Sequence, residues 1–467
     1  MSNIKKVTLD GSEVKIETGG QNTIVKNLST DTIYASAFPN ITAEADNVAE
    51  IASGTGEVIY GTHGTVYLLG KGRVQCTGTD YATVNFKKPS RSKGGGGKNY
   101  KTMTAVIDLS NSNAENSVTY ADDAANMTAG SAEWDNFFGH YPCLFKDGAE
   151  VGKLRRIDFN KFEDGTTADI SSGGAGDVMI AFPRRGLKIE TIDNKVYVSM
   201  TDDPNSADFE YNAHTRGETA KDVFYLGAYK GYVGGSKLRS LKGKTITGNK
   251  IISTFRTYAQ ANGEGYEQSG FYQLTFRQAM FILKYKTLDS QSAVGTGYVG
   301  SSGGFNPIPT GGTEEWGMDC EIIKISNPTY MTDQYHHVKC FGIEDFWGNL
   351  WEWIDGLVSD NSRNILTANS GFNDAGTGYE NNGNGGVTAD VDGIMAIPQG
   401  TTKTGFVVKA VSTSDGMFCD YSSLFASCVP GFGGRKENQG KAGVFDLCVD
   451  EAAGHTGTAM AARLMYL

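Results

Sequence analysis

Proline is scarce, with 10 in 467 residues, and no cysteines stand in a CxxC pair. The seven cysteines, Cys76, Cys143, Cys320, Cys340, Cys419, Cys428 and Cys448, are odd in number and scattered. That argues against a disulfide framework and for folding under reducing conditions. No stretch approaches the roughly eighteen consecutive apolar residues of a membrane-spanning helix. Net charge is −11, and no sustained basic stripe offers itself to a nucleic-acid backbone. The opening residues, MSNIKKVTLDGSEVKIETGG, lack the apolar core of a signal peptide. These absences predict a cytoplasmically made protein that neither inserts into a membrane nor binds nucleic acid. A protein that leaves the cell only within an assembled particle, or by lysis, has the same profile.

What is present points to β structure. There are 61 glycines, 22 tyrosines and 23 phenylalanines. Gly turns between aromatic and β-branched runs make a mainly β, loop-rich chain, and the length suggests about two to four domains. Residues 1–90 read as a small all-β unit, a β-sandwich. KVTLDGSEVKIET alternates around Asp10-Gly11, which predicts a hairpin. All five tryptophans lie at Trp134 or beyond, a composition shift that sets this unit apart. Residues 91–98, rich in Gly, Lys and Ser, read as a flexible linker. They lack the GxxxxGK[ST] spacing and the following helix of a phosphate-binding loop. Residues 99–130 read as a connecting β segment, and 131–467 as a second domain mixing strands with two helices. The first helix places Phe255, Tyr258 and Ala259 on one face before the Asn262-Gly263 stop. The second is predicted to start at a T-x-x-Q capping box, Thr275 to Gln278.

The strongest motif is HVKCFGIEDFWGNLWEWIDGL. Gly348 and Asn349 suit the positive-φ geometry of a tight turn. Trp351, Glu352 and Trp353 follow as a strand, in which a carboxylate between tryptophans must be exposed or paired. GNLWEW resembles the signature of the formylglycine-generating-enzyme type of C-type-lectin-like fold, and Arg463 stands where that family closes its domain. The resemblance covers roughly residues 130–467 and implies an α+β C-terminal domain of that fold. The first unit is similar to the β-sandwich modules that anchor fibres and receptor-binding proteins to phage particles.

The fold hosts several functions, so the site must decide. Cys419, Cys428 and Cys448 lack the Arg- and Ser-containing surroundings of the family's reactive cysteines, and the EPN, QPD and WND signatures of calcium-dependent lectins are absent. The final stretch resembles the variable region of phage receptor-binding proteins diversified by retroelements, the kind typified by the major tropism determinant. In that pattern GFGG, Ala442–Phe445 and the ARLMYL ending are scaffold. Arg435, Asp446, Cys448, Asp450, His455, Gly457 and Ala459 stand at template-asparagine places, each reachable from an Asn codon by changing adenines alone. Lys436, Glu437, Gln439, Lys441 and Glu451 require other template codons. Period-two alternation puts Val444, Asp446, Cys448 and Asp450 on one side, displayed, with Phe445, Leu447 and Val449 buried on the other.

Other groupings carry less. Asp333, His336, His337 and Cys340 crowd together but lack the paired spacing of zinc ligands, and Cys340 reads as a small core residue. Asn373, Asp374, Glu380, Asn381, Asn382 and Asn384 match no calcium loop and read as a solvated Gly-rich loop. No GxSxG elbow selects a nucleophilic serine. The expectation is therefore a non-enzymatic protein with no catalytic residue, metal or cofactor. It would sit on a virion surface, on head or tail, anchored to other virion proteins by its N-terminal unit. It would bind a host-cell-surface receptor, protein or glycan, through residues within about 431–460, and the resemblance implies a homotrimer. The alternatives are a formylglycine-generating-type enzyme and a decoration protein without a binding role.

Overall fold

The short β-branched and aromatic runs do become strands in the computed structural model, where strand accounts for 40% and helix for 13%. The structure describes residues 100–111, 113–114, 116–300, 307–325, 334–386, 396–411 and 420–467. N-terminal to these it describes 4–10, 12–17, 22–27, 33–36, 49–51, 56–59, 65–69 and 71–79. The linker 91–98, Asp333 and Cys419 lie outside the described residues. The chain divides into two compact units, Met1–Lys98 with Gly130–Asn136, and Asn99–Ala129 with Phe137–Leu467.

The first unit has two four-stranded antiparallel sheets. The hairpin expected around Asp10-Gly11 does not form. Ile4–Asp10 pairs with Lys71–Thr79, whereas Val14–Glu17 pairs with Thr65–Leu69 in the other sheet. The reason is the apolar face of each strand. Leu9 and Ile16, from different sheets, enter one buried cluster with Val25, Ile33, Val66 and Val74. A two-strand ribbon could not bury both.

In the second unit, residues 99–130 are more than a connection. Thr102–Asp108 pairs with Val118–Asp122 and with Lys195–Thr201, so this segment is built into a four-stranded sheet. A seven-stranded antiparallel sheet and a five-stranded mixed sheet carry most of the remaining framework. In chain order we label their strands β1 Tyr141–Lys146, β2 Ala149–Arg155, β3 Asp158–Phe162, β4 Asp177–Pro183, β5 Val223–Gly227, β6 Tyr266–Gln268, β7 Trp351–Trp353, β8 Ser422–Leu424, β9 Val429–Phe432, β10 Leu447–Glu451, β11 Met460–Ala461 and β12 Leu464–Tyr466. The first sheet runs β3-β2-β1-β4-β5-β12-β6, and the second β8-β10-β9-β7-β11. The tail therefore contributes to both. β12 lies between β5 and β6, with Tyr466 opposite Tyr225 on one side and Tyr266 on the other.

The described residues hold four α-helices, two more than expected, and the two longest pack on this framework, labelled α1 Ile252–Gln260 and α2 Phe271–Tyr285. Phe255 and Ala259 are fully buried, as their spacing requires. α2 starts four residues before the expected capping box, with Gly270 at the N-cap and Phe271 N–H donating to the Asp355 carbonyl at 2.8 Å. Thr275 and Gln278 are interior and buried, and Gln278 Nε2 instead donates to the Val444 carbonyl at 2.8 Å. Apolar Phe271 and Leu274 extend the buried stripe backwards, and that burial outweighs a local cap. The Asn-rich stretch is largely solvated, as expected, but it is not all loop. Glu380–Asn384 is a strand paired with Asn364–Thr367, and Asp374 is bound by Arg256 at 2.7 Å.

Leu464 in β12 is fully buried in the core shared by Phe145, Trp353 and Met460. We expect Leu464→Ala to lower the unfolding free energy by about 2–5 kcal/mol in urea titrations. A loss under about 1 kcal/mol would show that β12 is peripheral to the domain.

Candidate functional site

Glu352 and Arg463, far apart in sequence, meet in the interior with no exposed surface on either. Arg463 Nε donates to Glu352 Oε2 at 2.8 Å. Its two terminal nitrogens donate to the carbonyls of Gly227, Glu344 and Asp345 at 3.0, 3.1 and 3.2 Å. One side chain thus ties the tail to β5, to β7 and to the turn before β7. Burial pushes the Glu352 carboxyl up, and Arg463, Lys230 and Arg277 together outweigh it, so it stays below its ordinary range. The turn itself behaves as the sequence predicts: Gly348 has φ 76° and Asn349 φ 64°. The Asn349 amide group is buried, donating to the Ile308 carbonyl and to Asp345 and accepting from Ile308 N–H.

On this frame the tail makes two excursions. The first leaves β9 and returns at β10. Gly433 and Gly434, with φ of 87° and 75°, start it, and a Cβ on Gly434 would stand 2.7 Å from Asp446 Oδ2. Lys436 N–H donates to the Asn349 carbonyl at 3.2 Å and Gln439 N–H to that of Val299 at 2.9 Å. Gln291 Nε2 donates to the carbonyls of Gln439 and Ala442. The second excursion leaves β10 and returns at β11, where Trp351 pairs with Met460 and Glu352 with Ala461. Its backbone is fixed by Asn249 N–H on the Gly457 carbonyl.

The side chains divide unevenly between surface and interior. Arg435, Glu437, Lys441, Asp450, Glu451, His455 and Gly457 are half-buried and Gln439 is exposed. Arg435 pairs with Glu437 at 3.2 Å and His455 with Glu451 at 3.2 Å. Burial pushes the Glu451 carboxyl up, Asp450 adds to this, and His455 and Arg435 oppose it. Arg435 and His455, from different excursions, thus both act on the Glu451 carboxylate of β10, and these partly exposed side chains make up the tail's charged set.

Lys436, Asp446, Cys448 and Ala459 do not belong to it. They are 1%, 0%, 2% and 4% exposed. Asp446 lies before β10, and the expected alternation fails because β10 is interior to its sheet, between β8 and β9, and is buried on both faces over Leu447–Val449. Val444 through Val449 are therefore all buried. Alternation tells one strand face from the other only when one of them meets solvent.

Asp446 and Asp420 form an acidic pair beneath the face. Asp420 accepts from Phe445 N–H at 2.8 Å, and Asp446 accepts from the Cys448 thiol at 3.4 Å. Burial pushes Asp420 up to about 8, and burial with the nearby Asp420 pushes Asp446 well above the carboxylate range. The cysteine thiols respond the same way: burial pushes Cys428 up and Cys448 well up, which keeps both protonated and poor as nucleophiles.

The histidine cluster is taken apart by strand geometry. His336 and His337 are neighbours on the strand Gln334–Cys340 and point opposite ways. His336 meets Glu321, and Cys340 is core. Among the described residues, His337, Glu344 and Asp345 bring one ligand atom each within 4.8 Å of one another. The carboxylates are already engaged: Glu344 accepts from Gly311 and Thr313, and Asp345 from Asn349 and His337. Residues that sequence reasoning passed over are Lys230 and Arg277, both buried beside Glu352. The signal for each was a lone cation inside an apolar run, AYKGY and LTFRQAMF.

Compared with protein-family models and with the curated proteins, the chain matches none.

Two outcomes follow from this geometry. Arg463→Met, which removes the cation hydrogen-bonded to Glu352 and leaves three backbone carbonyls unmet, should cost about 3–5 kcal/mol in chemical denaturation, and Glu352→Leu added to it should cost less than the sum of the two single losses. An additive double variant would show that the two groups do not act as a pair. For Asp420 and Asp446 the folded-state pKa is raised, so between about pH 4 and pH 8 the folded chain holds more protons than the unfolded one. Their contribution is full below the lower limit and is lost as pH rises. Urea titrations at pH 5 and pH 8 should show Asp446→Asn more stable than the parent at pH 8, with the advantage shrinking at pH 5. An equal difference at both values would refute the assignment.

Proposed function

We propose that the protein is a phage virion surface protein that binds a host-cell-surface receptor, with a C-type-lectin-like C-terminal domain displaying a diversified tail. One observation carries the reading. Two short excursions bearing Arg435, Glu437, Gln439, Lys441 and His455, with Asp450 and Glu451 at the end of β10 between them, are held by strands and by the Glu352–Arg463 pair. A frame of this kind lets exposed side chains be exchanged without loss of the fold, which a receptor site under diversification requires. The mechanism is surface complementarity, with charge and hydrogen bonding setting specificity.

The N-terminal β unit would attach the protein to other virion proteins. As homotrimers repeated over a particle, individually weak sites would gain by avidity, on the order of a hundredfold or more. A formylglycine-generating-type activity has less support, because the Cys428 and Cys448 thiols are buried and held protonated.

The test has two readouts. Deep sequencing of sibling phage populations should find amino-acid changes concentrated at the codons for these seven residues and rare at those for Glu352, Arg463 and the buried residues of β7 to β12. A triple variant, Arg435→Ala, Glu437→Ala and His455→Ala, should keep its unfolding free energy within about 0.5 kcal/mol. Particles carrying it should adsorb to parent-susceptible cells on the order of a hundredfold less well. Invariant exposed codons together with unchanged adsorption would sink the proposal.

A further inference from the structure

The strand Gly186–Ile192 lies at the edge of the four-stranded sheet, and two loops close over that edge. Leu187 N–H donates to the Glu210 carbonyl at 2.8 Å, and Glu210 N–H donates back to the Leu187 carbonyl at 3.0 Å. Further along, Ile189 N–H donates to Thr402 Oγ1 at 2.8 Å, and Thr191 Oγ1 to the Gly400 carbonyl at 3.0 Å. Lys403 of the second loop pairs with Glu380 on the strand Glu380–Asn384. Residues of these four segments line a cleft of about 440 Å³. That is the size of a small-ligand site, but such sites are mostly apolar and this one is not. Its polar lining includes Asp208, Glu210, Asn382, Gln399, Lys188 and Lys403, and its one apolar residue, Ile189, is buried.

The unused bonding capacity of this lining is one-sided. The Asn382 amide nitrogen donates to Thr367 Oγ1 at 2.8 Å and to the Glu380 carbonyl at 3.1 Å. That of Gln399 donates to the carbonyls of Asn384 and Gly385, both at 3.4 Å. Both amides are thus held by their nitrogens, and their oxygens stay unbonded. Glu210 accepts from Asn212 Nδ2 at 2.6 Å through Oε2, which leaves Oε1 unused. Asp208 engages no group among the described residues. The cations, in contrast, are taken: Lys188 pairs with Glu190 at 2.8 Å, and Lys403 with Glu380.

Four acceptor groups therefore await O–H or N–H donors. An anion would meet Asp208 and Glu210 beside two lysines that are already neutralised. A peptide would find no apolar hollow for its side chains, and a simple cation would meet the lysines as well as the carboxylates. A neutral saccharide has no such conflict. Each of its hydroxyls can donate to a carboxylate or amide oxygen and still accept from an ammonium, and the two oxygens of a carboxylate can take neighbouring hydroxyls. Because the amides are held before any ligand arrives, binding has less side-chain freedom to remove.

We propose that this cleft is a binding site for a neutral saccharide, with Asp208, Glu210, Asn382 and Gln399 accepting its hydroxyl protons. None of the four lies in the tail, and the inference stands whether or not the tail binds a receptor.

The test titrates the full chain, in EDTA, with the methyl glycosides of glucose, galactose and mannose, followed by saturation-transfer NMR. At least one should bind saturably, with a dissociation constant on the order of 1 mM for a ligand of this size. Asp208→Ala with Asn382→Ala should weaken it at least tenfold at an unchanged thermal midpoint. Should that double variant fail to fold, Asp208→Asn carries the same comparison. The tail variant with Arg435→Ala, Glu437→Ala and His455→Ala should bind the sugar as the parent does, which separates this site from the tail. No saturable binding by any of the three glycosides, binding undiminished in the cleft variants, binding lost in the tail variant, or tighter binding of putrescine or sialyllactose than of every neutral glycoside would each overturn the proposal.

Discussion

Everything in the C-terminal domain depends on bringing one arginine to one carboxylate in a place with no solvent. The Glu352–Arg463 contact spans 111 residues of sequence, and the Arg463 bond to the Gly227 carbonyl spans 236. A buried ion pair is not by itself a source of stability, because desolvating both charges offsets most of their attraction. What it does supply is position. A charged group in the core has few places where its donors and acceptors are met, so Arg463 fixes the register of β11 and β12 far more sharply than apolar packing alone. The two excursions of the tail inherit that precision.

The same constraint explains how much of the molecule could be read in advance. The β-rich class, the Gly348-Asn349 turn, the strand at Trp351–Trp353 and the face of α1 are all local, and each follows from backbone preference or period. A carboxylate between tryptophans signalled a partner, and Arg463 had been picked out on resemblance. Pairing across distance was not legible. Asp10-Gly11 looks like a hairpin turn at short range, but the burial of Leu9 and Ile16 sends the flanking strands into different sheets. Thr275 and Gln278 look like a cap, yet tertiary burial lets α2 begin at Phe271.

The candidate site was legible by region and only partly by residue. Arg435, Glu437, Gln439, Lys441, Asp450, Glu451 and His455 reach the surface, whereas Lys436, Asp446, Cys448 and Ala459 do not. Period-two alternation separates surface from core only on a strand with one wet face, and β10 is flanked on both sides and buried on both faces over Leu447–Val449. Polar type misled for the same reason. Asp446 is tolerated inside because burial keeps its carboxyl protonated, so its formal charge in the sequence is not its charge in the fold. The acidic pair thus lowers the ceiling on stability at neutral pH, and Asp450, nearer the surface, adds to the upward push on Asp446.

The placement of β12 between β5 and β6 bears on time as well as shape. Strands that pair across such separations must wait for long loops to close, and folds dominated by such contacts form slowly. The charged face, built on the closing elements, is then among the later parts to mature. Contacts made after the rate-limiting step act mainly on the unfolding rate. The long-range ties that delay assembly should therefore also delay its reversal, leaving the exposed excursions on a base that persists by slow unfolding as well as by equilibrium stability.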